Sequence, residues 1–271
     1  MPYTNVCLWK GISCRNGTVV GLIINYVLSG AKGTIPDDIG QLSTLEYLKI
    51  ETLQDSLTGT IPTSIGKLNS LTLLAISNVD VVGSIPSEVL SLPNLKFLDI
   101  SQNLLTGKFP EVTSGQLRYL EVLGIAGNFI TGTIPSSLGY LSSLTLLDLS
   151  LNSFTKKIPV EMISPNKSLV SLDLNGNYLT GTLPSELGAL RSIISLSLGE
   201  NSFSGSVPTS LCTLSGLMEL DISKNKLDCY PSCLSYVDDL ETDISACPGN
   251  IIRIVVIISL NCTFASYSDC I

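Results

Sequence analysis

The stretch LEVLGIAGNFITGTIPSSLGYLSSL, residues 120–144, contains one complete copy of a motif that recurs along most of this 271-residue chain. Its proline and its pair of aliphatic residues separated by one position return about every 24 residues. The prolines are Pro36, Pro62, Pro86, Pro110, Pro135, Pro159, Pro184, Pro208 and Pro231. The aliphatic pairs are Leu22/Ile24, Leu48/Ile50, Leu74/Ile76, Leu98/Ile100, Leu123/Ile125, Leu147/Leu149, Leu172/Leu174, Leu196/Leu198 and Leu220/Ile222. Nine copies, which we call coils, therefore span residues 19–231.

Each aliphatic pair encloses one outward residue, the pattern of a short β-strand with both aliphatic side chains on the same side. One coil cannot bury its own apolar face, so the coils must stack and their strands pair in parallel. An asparagine follows most pairs by three positions, where its amide can satisfy backbone groups that would otherwise be buried without a partner. These residues are Asn103, Asn128, Asn152, Asn177, Asn201 and Asn225. In TGTIP, residues 131–135, glycine permits a bend and proline ends the strand ladder.

The motif resembles the plant-type leucine-rich repeat, LxxLxxLxLxxNxLxGxIPxxLGxL, over about four fifths of the chain. CLWKGISC, residues 7–14, is similar to the CxWxGVxC cap of such extracellular domains, and residues 210–233 are similar to their last repeat. The resemblance implies an α/β-type repeat fold. This fold is a right-handed solenoid with a concave parallel β-sheet, short strands, turns or 3-10 segments on the convex side, and disulfide caps at both ends. It also implies two disulfides, Cys7 with Cys14 and Cys212 with Cys233.

These patterns divide the chain into an N-terminal cysteine cap at residues 1–18, nine repeats at 19–231 and a C-terminal cysteine-containing cap at 232–271. Four departures from the motif predict local bulges. They are extra residues before Gly33 and before Gly59, Val79 in place of asparagine, and Lys156 in place of glycine. The last segment lacks the repeat, and we expect a strand there at residues 251–260.

Composition and charge narrow the classes of function. With 15 basic and 23 acidic residues, the net charge of −8 argues against nucleic acid and anionic membranes as partners, since both need a basic surface. The absence of histidine removes Ser/His/Asp and Cys/His nucleophilic machinery and histidine-ligated zinc. The longest apolar run, residues 251–260, is shorter than the roughly 20 residues that span a bilayer. We expect no membrane insertion, no metal and no cofactor.

The eight cysteines lie at the two ends of the chain, which favours disulfides formed in an oxidising compartment. We therefore expect a secreted or cell-surface protein, although no signal peptide precedes the first cysteine. Beyond the two implied pairs, the most local arrangement joins Cys229 to Cys247 and Cys262 to Cys270, one of many possible connectivities. Zinc held by Cys229 and Cys233 is an alternative, although no second pair has matching spacing.

Three sequons are candidates for N-glycosylation, at Asn16, Asn166 and Asn261. The first two fall outside the strands. A disulfide at Cys262 would hinder modification of Asn261.

Two columns of outward residues are expected on the concave sheet. The middle column, between the paired aliphatics, contains Ile23, Lys49, Ala75, Asp99, Gly124, Asp148, Asp173, Ser197 and Asp221. The leading column, just before it, contains Gly21, Tyr47, Leu73, Phe97, Val122, Leu146, Ser171, Ser195 and Glu219. Five consecutive apolar residues of the leading column form a stripe that suits a docking surface. The predicted ligand-binding residues are Tyr47, Lys49, Glu51, Leu73, Phe97, Asp99, Gln102, Val122, Asp148 and Asp173.

The sequence predicts a non-enzymatic recognition module that binds another protein, a peptide or a glycan on its concave face, in defence or cell-surface signalling. The resemblance implies a secreted inhibitor of pathogen polygalacturonases as an alternative. Asp148 and Asp173 leave a carboxylate-based glycosidase as a further hypothesis, because one carboxyl of a close pair can have a raised pKa. An open, solvated sheet argues against it. Ice binding would need a regular row of Thr or Asn on one face, and the concave columns are irregular.

Overall fold

The computed structural model describes residues 5–24, 33–51, 57–163 and 168–247, which form a solenoid of stacked coils. A typical coil contains one strand of a long concave sheet, a second strand on the lateral side and a 3-10 turn on the convex side. The predicted fold class is confirmed, including the disulfides near both ends.

The concave sheet has eleven strands. They are Ile12–Arg15, Thr18–Ile24, Tyr47–Glu51, Leu73–Ser77, Phe97–Asp99, Val122–Gly124, Leu146–Asp148, Ser171–Asp173, Ser195–Ser197, Glu219–Asp221 and Asp239–Glu241. The first two strands pair antiparallel as a hairpin, and the rest pair in parallel. Leu48 pairs with Leu74 and Leu74 with Leu98, so equivalent residues of successive coils stand in columns.

Strands of two to four residues line the lateral side, in one five-stranded sheet and two two-stranded sheets that we call the lateral sheets. Their strands are Gly33–Thr34, Leu57–Thr58, Val82–Gly83, Leu104–Leu105, Thr131–Thr133, Ser153–Lys156, Tyr178–Gly181, Ser202–Gly205 and Lys226–Leu227. The convex side is built of 3-10 segments at Asp37–Gln41, Thr63–Lys67, Ser87–Ser91, Ser136–Tyr140, Val160–Met162, Ser185–Ala189, Thr209–Thr213 and Ser232–Tyr236, with one more at Val6–Leu8 in the N-terminal cap. Proline precedes each convex segment, where its fixed φ and missing N–H favour the start of a turn.

Asparagine side chains bind the coils together from within the core. The Asn128 amide nitrogen donates to the carbonyl oxygens of Ile125 and, in the preceding coil, Ile100, both at 3.0 Å. Its Oδ1 accepts from the backbone N–H of Leu105, also in the preceding coil, at 3.0 Å. The same arrangement recurs at Asn103, Asn152, Asn177, Asn201 and Asn225. The amide therefore replaces water for backbone groups that stacking has buried.

The prediction of local bulges was wrong at two of its four sites. Lys156 keeps the glycine conformation of the motif, with φ of 68° against 90° at Gly132 and 86° at Gly181. At the coil that lacks asparagine, Val79 is buried in its place and Asn78 keeps the positive φ of 55° seen in the neighbouring coils. Stacking on both sides holds the backbone in register, so the departures are absorbed by side chains. The extra residues before Gly33 and before Gly59, where the other two bulges were predicted, fall partly outside the described residues.

The repeat geometry continues past Pro231, where the sequence pattern lapses. The turn Ser232–Tyr236 and the strand Asp239–Glu241 add one more coil, and Leu240 pairs with Leu220. This coil is shorter than the others, so a search for a 24-residue period misses it. The domain boundaries themselves stay predictions, and the strand expected at residues 251–260 lies outside the described part of the chain.

Candidate functional site

The concave face presents the two predicted columns in parallel. Strand pairing aligns Lys49 with Ala75 and Asp99 in the middle column, and Tyr47 with Leu73 and Phe97 in the leading column. The same register continues to the C-terminal strand, which adds Glu241 to the middle column and Asp239 to the leading one. Those two acidic residues were missed because they lie beyond the periodic part of the sequence.

The N-terminal half of this face is an apolar stripe, formed by Tyr47, Leu73, Phe97, Val122 and Leu146. The first four side chains are half-buried, whereas Leu146 is only 7% exposed and contributes little accessible surface. The ring of Tyr47 lies against Gly21, in the space that a Cβ would need. Tyr47 therefore also covers the first repeat strand, a structural role that the sequence did not indicate.

Polar groups border the stripe. The Lys49 ammonium lies 3.0 Å from a carboxylate oxygen of Glu51. Gln102 does not belong to either column; it is exposed after the end of its strand, and its side chain lies against Gly127 of the next coil. Lys49 and Glu51 thus lie beside the stripe, and Gln102 lies at its edge.

The C-terminal half of the face is acidic. Asp148 pairs in register with Asp173, and Asp221 lies two strands further along the same column. Each carboxylate accepts a hydrogen bond from the backbone N–H two residues later, for example Ser150 to Asp148 at 2.9 Å and Asn175 to Asp173 at 2.9 Å. The aspartates therefore also fix the bend that follows each strand, as expected if this residue is part of the repeat.

Burial changes the ionisation of this column. Burial, followed by the negative charge of Asp148, raises the pKa of Asp173 to about 7. Burial also raises the pKa of Asp148, with the charge of Asp99 adding to the effect while hydrogen bonds from Ser150 oppose it. At neutral pH the Asp173 carboxyl is therefore partly protonated.

The cysteine predictions are confirmed for three of the four pairs, since Cys7–Cys14, Cys212–Cys233 and Cys229–Cys247 are joined. Cys262 and Cys270 lie outside the described residues. The zinc alternative at Cys229 and Cys233 was wrong, because each sulfur is bound to a different cysteine.

Within the described ranges, no group of three or more His, Cys, Asp or Glu side chains is placed to hold a metal ion. The same residues include no helix that is long and apolar enough to cross a bilayer. Asn16 is exposed in the N-terminal hairpin, where a sugar would not meet the core; its glycosylation stays a prediction. Asn166 and Asn261 fall outside the described ranges.

Family models for leucine-rich repeats match residues 118–179 and, in single copies, 94–115 and 192–214. No curated protein sequence matches the chain. Among solved structures, a plant peptide hormone receptor, RGFR1 in complex with RGF2, is 31% identical with a TM-score of 0.71 over 79% of this chain and 34% of the receptor. The Arabidopsis receptor kinase HAESA, in complex with the peptide hormone IDA and the co-receptor SERK1, is 32% identical with a TM-score of 0.64 over 88% of this chain and 44% of its own.

A plant ice-binding protein is also similar, at 26% identity and a TM-score of 0.64 over 94% of this chain and 90% of its own. By contrast, the chain spans only about a third to two fifths of the length of the first receptor ectodomains that it matches. The fold and the repeat matches together define a leucine-rich-repeat solenoid. The described residues therefore have a leucine-rich-repeat fold that is similar to that of plant receptor ectodomains.

Proposed function

We propose that this protein is an extracellular recognition module that binds a peptide on its concave face. The observation that carries the proposal is the apolar stripe, which faces outward on a rigid sheet and continues into an acidic surface. Hydrophobic groups left outward on a monomer commonly mark binding surfaces. The similar receptors RGFR1 and HAESA are in complex with peptide hormones, which supports a peptide among the three predicted ligand classes.

The two halves of the face suggest the chemistry of the ligand. An extended peptide that crosses the strands would place apolar side chains on Tyr47, Leu73 and Phe97 and basic ones near Asp173 and Asp221. Asp148, predicted as a ligand-binding residue, is only 5% exposed and offers little surface to a ligand. Strand spacing of about 4.8 Å means that the apolar half accommodates several peptide residues. Electrostatic complementarity would then fix the direction of the peptide more than its affinity.

An extracellular location fits the three disulfides and the receptor ectodomains that the chain resembles. A role in defence or cell-surface signalling, and the alternative of a polygalacturonase inhibitor, stay hypotheses.

The peptide proposal predicts the effect of removing the two aromatic anchors. Peptides selected from a random library on the immobilised protein should be rich in apolar and basic residues. Replacing Tyr47 and Phe97 by Ala should weaken their binding by about 2 kcal/mol or more, because aromatic anchors dominate interface energies. Titration calorimetry of the parent, this variant and the control Ser171→Ala/Ser195→Ala measures the effect.

Because Tyr47 also covers Gly21, the melting temperatures of the parent and the double variant are compared. If the double variant is less stable, the binding test is made with Phe97→Ala alone. Undiminished affinity in a folded variant would remove the stripe as the binding surface.

We also propose that the protein does not act as an enzyme. The leucine-rich-repeat ectodomain fold generally binds rather than catalyses. The Asp148 side chain is almost fully buried, and both Asp148 and Asp173 accept hydrogen bonds from their own bends. Asp148→Asn/Asp173→Asn should leave binding of apolar peptides largely intact. Glycosidase turnover by the parent that this variant lacks would contradict the proposal.

Ice binding is a second candidate function. The favouring observation is the match to a plant ice-binding protein along 90% of that protein's length, with 94% of this chain covered. The test is ice-affinity partitioning, in which the fluorescently labelled protein is exposed to a slowly growing ice crystal. Enrichment in the ice fraction over an unrelated acidic protein of equal size supports this function, and equal exclusion from ice refutes it.

A further inference from the structure

The lateral sheets carry the most regular surface of the described chain. Two rows of residues flank the glycine of each coil. The row before the glycine contains Thr58, Val82, Thr106, Thr131, Thr155, Thr180 and Ser204. The row after it contains Thr34, Thr60, Ser84, Lys108, Thr133, Lys157, Thr182 and Ser206. None of these residues is acidic, but the ninth coil, with Cys229 in place of the glycine, continues the first row with Asp228.

Hydrogen bonds hold the first row in place. The Thr131 hydroxyl donates to the carbonyl oxygen of Gly107 at 3.1 Å, and the Thr155 hydroxyl donates to that of Gly132 at 3.0 Å. The hydroxyls of Thr58, Thr106 and Ser204 make longer bonds of the same kind to the preceding coil. Threonine is already stiff at χ1 because it is β-branched. The methyl groups and hydroxyl oxygens therefore form a fixed row before any ligand arrives.

Side chains of the second row are held in place by contact with the glycines of the next coil. The Lys157 side chain lies against Gly181, and the Thr182 side chain lies against Gly205, each in the next coil. Positive φ values of 86° and 77° at these glycines bring the two coils close at that point. The pairing is staggered, because Thr34 lies opposite Thr58 and Thr133 opposite Thr155. With strands about 4.8 Å apart and alternate residues about 6.7 Å apart, the two rows thus form an oblique two-dimensional lattice of mostly small side chains.

We infer that this lateral lattice is the surface that contacts ice, an inference that rests on the second proposed function. Ice is a rigid solid that presents water oxygens at fixed repeats, so a matching surface must be rigid, periodic and free of deep pockets. The lateral rows meet these requirements, and the concave columns, which mix aspartate, glycine, lysine and aromatic groups, do not. Bound waters aligned on the hydroxyl row would join the lattice of the growing crystal.

Lys108 and Lys157 interrupt the second row, and Lys156 lies between the rows, in the coil where lysine replaces the glycine of the motif. All three side chains are exposed. A charged ammonium orders water around itself and projects above neighbouring threonines. Lys157→Thr should therefore enlarge the continuous lattice and raise the ice-bound fraction above that of the parent.

The test compares matched substitutions on the two faces by ice-affinity partitioning of the full chain. Thr155→Tyr/Thr180→Tyr places two bulky rings on adjacent coils of the lateral side, and Ser171→Tyr/Ser195→Tyr does the same on the concave side. We expect the lateral variant to fall to the background of an unrelated protein and the concave variant to match the parent. Circular dichroism confirms that each variant is folded.

The outcomes distinguish a protein that does not bind ice from one that binds ice through a different surface. If the parent itself is excluded from ice, the second proposed function is wrong and the inference falls with it. If the lateral variant enters ice as well as the parent does, the protein binds ice but not through the lateral lattice. The same conclusion follows if only the concave variant loses ice binding. If the lateral variant does not fold, Lys157→Thr against Lys157→Glu decides, because the inference requires the first to gain and the second to lose ice binding.

Discussion

Among single residues, Asp173 combines a structural role with an unusual ionisation. Its carboxylate accepts from the Asn175 backbone, and the Asn175 side chain in turn donates to Asp221 at 2.9 Å. The buried sheet surface and the charge of Asp148 raise its pKa to about 7, from an ordinary value of 3.8. The folded protein therefore holds this proton more tightly than the unfolded chain between about pH 4 and 7.

This shift predicts that stability increases as the solution becomes more acidic. Because the pKa is higher in the folded state, the free energy of unfolding should be lowest and constant above about pH 7. It should rise as the pH falls from about 7 to about 4. The raised pKa values of Asp99 and Asp148 act in the same direction. Asp173→Asn should flatten the dependence of melting temperature on pH, whereas Ser197→Asn in the same column should keep the parent's slope. An unchanged slope in Asp173→Asn would show that other groups set the pH dependence.

At the level of elements, the coils depend on their internal asparagines. Asn128→Val copies the coil in which Val79 occupies this place, but it leaves the Leu105 N–H and the Ile100 carbonyl without the side chain that now satisfies them. Each buried unsatisfied group costs about 1–3 kcal/mol, so we expect a loss of about 2–4 kcal/mol in chemical denaturation. Gln102→Ala, at an exposed position, should stay within about 0.5 kcal/mol of the parent. Equal stability of Asn128→Val and the parent would refute the bridging role.

The periodic elements could be predicted from sequence, and the aperiodic ones could not. The repeat occurs in every coil, so it predicts the strands, the columns and the asparagine positions. Tyr47 and Asp173 accordingly lie on the concave face, as predicted. The contact of Tyr47 with Gly21 escaped prediction because it joins side chains of different coils. The coil at residues 232–241 escaped because it is shorter than the period. The lateral threonines recur with the same period, but they lie beside the glycine position, outside the aliphatic pairs that mark the concave sheet.

For the whole molecule, the disulfide caps should hold the solenoid ends. Removing Cys229–Cys247, with a sequence separation of 18, by serine substitution should cost about 3 kcal/mol, and removing Cys7–Cys14, with a separation of 7, about 2 kcal/mol. The longer loop loses more by this change, because its disulfide removes more conformational entropy from the unfolded chain. Chemical denaturation measures the free energy of unfolding of each variant.

Thiol labelling followed by mass spectrometry should find no free thiol in protein from an oxidising host. Four or more free thiols would contradict an extracellular location.

The asparagine bonds have a direction along the chain. Each amide reaches its own coil and the coil before it, as Asn177 does when it donates to Leu149 and accepts from Phe154. None of these six side chains requires a coil that comes later in the sequence. As the polypeptide leaves the ribosome, every newly emerged coil therefore finds its partners already synthesised. The solenoid can grow by accretion at its C-terminal edge during translation, and the Cys229–Cys247 bridge closes near the end of that growth.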